Sequence, residues 1–276
     1  MIERTASGVP ITVIDVGARW GIAERWAQLA PDVRILGFDP DEEECERLNA
    51  AAVAAGDRTV TYVPVALGAS RGTAILHTTR EPACSSLYPP IGALTEAVPE
   101  LAGAIATGAI EVPIVTLDEW CAEHHVEIVD VLKLDTQGSE LGVLQGAERT
   151  LASVQLLEIE VEFNPIYEGQ PLFGDVDRFL RDRGFLLWRL DNLVHYSVGD
   201  EVGAVAMRST AHFDSVPYES GGRGGQLYWA HAYFARAELC PGAPDRPARE
   251  PALRAEAVAS VLGLHDLAHS ARLRRD

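Results

Sequence analysis

Acidic side chains stand where apolar runs end. "VIDVG" puts Asp15 two residues before Gly17, "ILGFDPD" carries Asp39, and "VLKLD" closes on Asp135. A carboxylate at such a position can balance a cation, orient a hydroxyl or take its proton. Lys133 lies two residues before Asp135 on the same strand face, within reach for charge pairing unless it is simply structural. In "LEIEVEF", Glu158, Glu160 and Glu162 alternate with Ile159, Val161 and Phe163, so three carboxylates share one face of a strand expected to be interior. Buried carboxylates repel one another and their pKa values rise unless they are partnered. Either that face opens onto a polar cavity or the strand is more exposed than its neighbours.

The glycines of "DVGARWG" narrow the ligand. A dinucleotide fingerprint counted from Gly17 needs glycine at its third and sixth positions, where Arg19 and Ile22 stand, and no GxxxxGK[ST] occurs. Phosphate-cradling readings therefore fail. Gly17 is expected to let a ligand approach the backbone and Asp15 to supply negative charge suited to a cationic ligand, so that Asp15, Gly17, Gly21 and Asp39 together would hold it. The competing possibility is that Asp15 and Asp39 cap helices, as Asp135 could also do.

The elements that must position these residues are short strands alternating with helical patterns. "ITVIDVG", "VRILGFDPD", "VTYVPVALG", "IEVPIVTL", "VDVLKLD", "VQLLEIEVEF", "FLLWRL" and "LYWAHAYFAR" read as strands. Helices are expected over about 21–30, in "DEEECERLNAAAVAA", in "DEWCAEHH" behind the Thr116/Glu119 capping-box spacing, in "LGVLQGAERTLA" and in "DVDRFLRDRG". This is an α/β pattern with a mostly parallel sheet covered on both faces, and in such sheets ligands bind beyond the carboxyl ends of the strands. Residues 191–226 are loop-rich and suggest a lid. Residues 241–251 form a Pro-rich linker, and 252–276 a terminal helix with Leu253, Ala257, Val261, Leu264 and Ala268 on one stripe. That stripe could support a homo-oligomer.

Composition limits the partners. The 276-residue chain carries a net charge of −18, which disfavours nucleic acid and anionic membrane. The apolar runs are too short for a membrane span, and the N-terminus lacks the features of a signal peptide. Four scattered cysteines suit a reducing, cytoplasmic setting. No ligand spacing demands a divalent metal and none is expected, although magnesium would accept Asp135, Glu160 and a third acid.

With Asp15, Gly17, Gly21 and Asp39 in this order, the sequence resembles the class I S-adenosylmethionine-dependent methyltransferases. That resemblance implies a Rossmann-like three-layer sandwich with a mostly parallel seven-stranded sheet whose last strand is antiparallel. It also implies S-adenosylmethionine as cofactor, with Asp39 accepting hydrogen bonds from the ribose hydroxyls and Ala66 and Leu67 flanking the adenine. "VDVLKLDTQGSELGVLQGAERTL" further resembles the FkbM-type methyltransferases. "TLDEW", "EVEFNPIYEGQPLFGDVDRFLRDRGFLLWRL" and "GQLYWAHAYFAR" extend the likeness over roughly residues 10–236, which makes 1–240 the expected catalytic domain. The FkbM type implies methylation of a hydroxyl on a sugar, glycan or natural-product intermediate. N-methylation on the same scaffold and a non-catalytic cofactor-binding protein are the alternatives.

Methyl transfer to a hydroxyl needs in-line alignment and a group that removes the proton. Asp135 is the leading candidate for base or acceptor orienter. Glu160, which matches the family's acidic position, is acceptor-binding or an alternative base, with Asn164 beside it. Glu140 either orients the acceptor or closes its own loop, and Lys133 is grouped with the substrate-binding residues. Ser85 and Ser86 match a serine-containing loop of the family, placed to bond cofactor or acceptor. His195, in the suspected lid, is a further candidate base; His124 and His125 read as structural.

Overall fold

A computed structural model describes residues 9–196, 208–210 and 226–275. All six residues of β1 (Ile11–Val16) are buried, Thr12 and Asp15 included, as expected of a strand covered on both faces. It lies between β2 (Val33–Asp39) and β7 (Val131–Leu134), parallel to both. Beyond β2 comes β3 (Val60–Pro64), and beyond β7 comes β8 (Leu156–Glu162), again parallel. β11 (Gln226–Arg236) inserts antiparallel between β8 and β9 (Phe185–Tyr196). The order β3-β2-β1-β7-β8-β11-β9 is the expected seven-stranded sheet with its antiparallel last strand, extended by short β10 (Arg208–Thr210) at the β9 edge. Connections run outward in opposite directions from the β1–β7 boundary, so a crevice opens there at the carboxyl ends.

Helices cover both faces. Ile14, Val16, Leu132, Leu134, Leu157 and Ile159 pack into one core with residues of α3 (Leu117–Glu123), α4 (Glu140–Gln145) and α5 (Phe173–Arg181). Thr116 caps α3 with both bonds of the predicted capping box. On the other face, α1 (Glu42–Ala55) packs Cys45 and Leu48 on Tyr62. The helix expected over about 21–30 after β1 is a 3₁₀ helix, Glu24–Leu29. Its Trp26 and Leu29 join Ile11, Val13, Val131 and Leu156 in that second core.

The C-terminal residues complete this core. The expected single helix is two, α6 (Arg249–Val261) and α7 (His265–Arg275), separated at Gly263, whose φ of +70° is a left-handed conformation that ends a helix. Helix α6 starts inside the Pro-rich stretch, since proline is compatible with a first helical turn. Leu253, Ala257, Val261, Leu264 and Ala268 are all buried within the chain, so the stripe that suggested an oligomer covers the protein's own sheet. Arg254 fixes the packing: its Nε and Nη2 lie 2.6 Å from the two oxygens of Asp130, and it donates to the carbonyls of Val9 and Pro10.

A second, smaller sheet forms the roof over the carboxyl ends. β4 (Ala66–Leu67) leaves the main sheet to pair with β6 (Ala106–Val115), which forms an antiparallel hairpin with β5 (Gly72–Thr79). Between β5 and β6 run short turns and α2 (Gly92–Ala97). The strand predicted in "IEVPIVTL" therefore belongs to this roof. The lid predicted over 191–226 is in part regular structure, because β9 continues to Tyr196 and β10 occupies 208–210; residues 197–207 and 211–225 lie outside the described residues.

Candidate active site

A cavity of about 330 Å³ lies between the strand ends and the roof. Of the residues singled out from the sequence, Gly17, Asp39, Ala66, Leu67, Ser85, Ser86, Asp135 and Glu160 line it. Asp15, Gly21, Lys133, Glu140, Asn164 and His195 do not.

At one end, Asp39 is a buried carboxylate at the tip of β2. It does not cap the next helix; Asp41 does, accepting from Glu44 N at 3.0 Å. Asp41 N donates to Asp39 Oδ1 at 2.9 Å, and Arg19 Nη1 lies 3.9 Å from the same oxygen while its Nη2 holds Asp41. Burial raises the Asp39 pKa, opposed by Asp41 N–H and Arg19. These contacts fall on Oδ1 and leave Oδ2 for a ligand hydroxyl. Phe38, Ala66 and Leu67 provide an apolar wall beside it, and Trp20, 66% exposed, stands at the mouth. A buried acceptor of hydroxyl hydrogen bonds next to an apolar slot fits the adenosine of S-adenosylmethionine.

Gly17 lines the cavity and also makes a close backbone contact. With φ of +85°, a β-carbon there would lie 1.9 Å from the carbonyl oxygen of Asp135, so the glycine permits the β1 and β7 exit loops to touch. Gly21, at φ +91°, turns the chain against the Tyr62 hydroxyl, which accepts from Ile22 N at 3.1 Å. Asp15 lies below the cavity floor and pairs with Lys133, Nζ to Oδ1 2.9 Å. Burial raises the Asp15 pKa and Lys133 opposes it. Burial alone would weaken the Lys133 ammonium, but Asp15, Asp135 and Glu158 outweigh that and raise its pKa. Lys133 also lies 3.9 Å from Asp135 Oδ2, which realises the expected charge pairing from beneath rather than inside the cavity.

At the opposite end, one amide joins two acids. Gln137 Nε2 donates to Asp135 Oδ1 at 3.1 Å and to Glu160 Oε1 at 2.8 Å, while Tyr167 donates to Gln137 Oε1 at 2.9 Å. Gln137 adopts a φ of +56°, sparsely populated by non-glycine residues, and Ser86 Oγ donates to its carbonyl at 2.6 Å. Glu160 is pushed well above the usual carboxylate range by burial, then by Asp135, Glu162 and Glu140, with Lys133 opposing. The three-glutamate face is thus real and divided: Glu160 reaches the cavity, Glu158 pairs with Arg25, and Glu162 is buried with a strongly raised pKa, chiefly from desolvation.

Glu140 takes the second of its two expected roles and closes its own loop, accepting from Thr136 N, Thr136 Oγ1 and Gly138 N. Two further expectations are corrected. Asn164 donates to the Leu227 carbonyl at 2.7 Å and pins the end of β8 to β11. His195 lies on β9 instead of a loop, and its neighbour Tyr196 is the one lining the cavity. Ser85 accepts from Thr79 N at 3.3 Å, so both serines tie the roof together as well as facing the cavity. Sequence reasoning missed Gln137, Tyr167 and the roof residues Glu100 and Leu101. The "TQGS" turn between Asp135 and Glu140 was the available signal for Gln137. Among the described residues, no group of three or more His, Cys, Asp and Glu is arranged to hold a metal, and no helix is long and apolar enough to cross a membrane.

The chain is 27% identical over 170 residues to "2-O-methyltransferase NoeI" of Sinorhizobium fredii (strain NBRC 101917 / NGR234), covering 60% of this chain and 69% of that one. Among solved structures it is similar to magnesium protoporphyrin IX methyltransferase (ChlM) from Synechocystis PCC 6803 with bound SAM, at 13% identity and TM-score 0.40 over 83% of this chain and 71% of that one. A SAM dependent methyltransferase from Aquifex aeolicus matches at 12% identity and TM-score 0.36, covering 81% of each chain. The model of the family "Methyltransferase FkbM domain" matches residues 15–187, a span that includes Asp39, the Gln137 bridge and Glu160. The chain therefore belongs to the FkbM methyltransferase family and is an S-adenosylmethionine-dependent methyltransferase.

Proposed function

We propose that the protein methylates a hydroxyl group on a sugar, glycan or natural-product intermediate. The observation that carries this reading is the pair Asp135 and Glu160, held by one Gln137 amide at the end of the cavity away from Asp39. A hydroxyl is a poor nucleophile until its proton leaves, and a carboxylate whose pKa is raised by burial holds a proton more readily than an ordinary one. The name of the NoeI relative, a 2-O-methyltransferase, supports oxygen as the acceptor atom.

S-adenosylmethionine, when bound, supplies an electrophilic methyl group on a sulfonium. Asp39 is assigned to the ribose hydroxyls, and Phe38, Ala66 and Leu67 to the adenine. Gly17 allows the β1 and β7 loops to close beneath the ligand. Asp15 acts from below by anchoring Lys133. Glu160 is assigned the role of base and Asp135 that of acceptor orienter, with Gln137 and Tyr167 setting their positions. Ser85 and Ser86 shape the roof side.

The test is transfer of isotope-labelled methyl from S-adenosylmethionine to a panel of methyl glycosides and polyols, with aminated counterparts alongside. Products are identified by mass spectrometry. O-methylated product, with kcat lowered by about 100-fold or more in Glu160→Gln, is the expected result. Methyl found only on nitrogen would replace this reading with an N-methyltransferase.

A further inference from the structure

Transfer of a methyl group to a hydroxyl breaks the O–H bond, turns the sulfonium into a thioether and leaves one proton per turnover. If Glu160 takes that proton, it must lose it before the next cycle. Its side chain is only 11% exposed, and cofactor and acceptor would fill the cavity it faces. While the cavity is filled, the proton can leave only by another route.

The strand register supplies one. His231 on β11 stands directly opposite Glu160 on β8, and Tyr233 opposite Glu158. Its Nε2 lies 3.9 Å from Glu160 Oε2 and its Nδ1 3.8 Å from Glu158 Oε1. The imidazole thus bridges two carboxylates, one in the cavity wall and one outside it. Shortening either gap by about 1 Å, a side-chain adjustment, makes a hydrogen bond. The His231 side chain is 24% exposed, about twice the exposure of Glu160.

We propose that His231 is a relay residue that accepts the proton from Glu160 on the side away from the cavity and passes it to solvent, with Glu158 orienting the ring. The inference rests on the hydroxyl-methylation reading. An imidazole suits the step because one ring nitrogen can accept while the other donates, and because its ordinary pKa lies near neutrality. Among the described residues, the charged and titratable groups around it are Glu158 and Glu160 from β8, Asp191 opposite it on β9, Tyr233 on its own strand, and Arg25 and Arg189. Arg25 is paired with Glu158 and Arg189 with Asp191, so two of the three nearby carboxylates are already balanced. Glu160 is the remaining one, and burial raises its pKa. That carboxylate faces a ring nitrogen across a gap of 3.9 Å.

The test follows the ring nitrogens by NMR on the full chain with S-adenosylhomocysteine, His231 being assigned by the signal lost in His231→Asn. Glu160→Gln should lower the His231 titration midpoint by about half a pH unit or more, as expected for removing a carboxylate within about 4 Å. In methyl transfer, His231→Asn should lower kcat about tenfold, less than loss of the base itself, with acceptor KM and S-adenosylhomocysteine affinity unchanged. Added imidazole should restore part of the rate. His231→Gln provides a second variant if the first folds poorly. A titration midpoint indifferent to Glu160→Gln, or an unchanged kcat in a folded His231 variant, overturns the relay while leaving the methyltransferase reading intact. Cofactor binding with no transfer to any hydroxyl overturns the functional reading, and the relay with it, whatever the titration shows.

Discussion

Gly17 and the backbone carbonyl of Asp135 are in such close contact that a β-carbon on Gly17 would lie 1.9 Å from that oxygen. The strand that carries Asp15 and the strand that carries Asp135 can reach this crevice together only because residue 17 has no side chain. Gly17→Ala also forces alanine to a φ of +85°. The substitution should cost at least about 2 kcal/mol in urea unfolding. Gly169→Ala is the control, because φ is +74° but nothing lies within 4 Å, and it should cost only about 1 kcal/mol. Equal losses would show that the Asp135 contact is unimportant.

Glu160 destabilises the fold in proportion to its charge. Its folded pKa is raised well above its ordinary value, mainly by burial. The native state therefore holds a proton more tightly than the unfolded chain. The stability linked to that proton is complete below the unfolded pKa, about 4.3 for a glutamate, and is lost as pH rises through the folded pKa. Glu160→Gln removes this titration. Its melting temperature should exceed that of the unsubstituted protein at pH 8, with the gap closing towards pH 4. A gap that does not vary with pH would contradict the assignment.

Arg254 joins the ends of the chain. It is buried in α6, grips Asp130 with two 2.6 Å bonds and also holds the carbonyls of Val9 and Pro10. Arg254→Ala would leave the Asp130 carboxylate buried without its cation, a loss of about 3–5 kcal/mol. Removing residues 249–276 should prevent folding, since α6 and α7 cover Val13, Val131 and Leu156. A truncated chain with a cooperative melt near that of the full protein would refute this.

Much of this was legible in the sequence, and the limits have physical causes. Buried strands show as unbroken apolar runs, so Asp15, Asp39 and Asp135 were correctly placed at strand ends, and the Thr116 cap followed from spacing alone. Glycine 17 was recognisable as necessary, but the reason was not, because the atom it makes room for is 118 residues away in sequence. Gln137 was missed since an amide in a turn has no distinguishing periodicity; its importance comes from a Glu160 contact across strands. His195 was misplaced because β9 is long and only part of it has strand-like residues. The terminal stripe was read correctly as apolar, yet a sequence cannot say whether such a stripe meets its own sheet or another chain.

The cavity lining is acidic. Asp39, Glu100, Asp135 and Glu160 line it, while Arg19 is engaged by Asp41 and Asp39. A neutral glycoside should be methylated with kcat/KM at least about tenfold above that of its phosphate ester at low salt, the difference narrowing as salt is added. Preference for the phosphate would reverse this picture of the acceptor end.

The central claim is that Asp39 and the apolar slot beside it hold the cofactor. Calorimetric titration with S-adenosylhomocysteine, using NAD as control and Asp39→Ala in parallel, tests it most directly. Saturable one-site binding by the unsubstituted protein, none with NAD, and affinity at least about tenfold weaker in a folded Asp39→Ala variant, as for loss of a hydrogen bond to a charged group, is the predicted result. A folded Asp39→Ala variant that binds as tightly as the unsubstituted protein would contradict it.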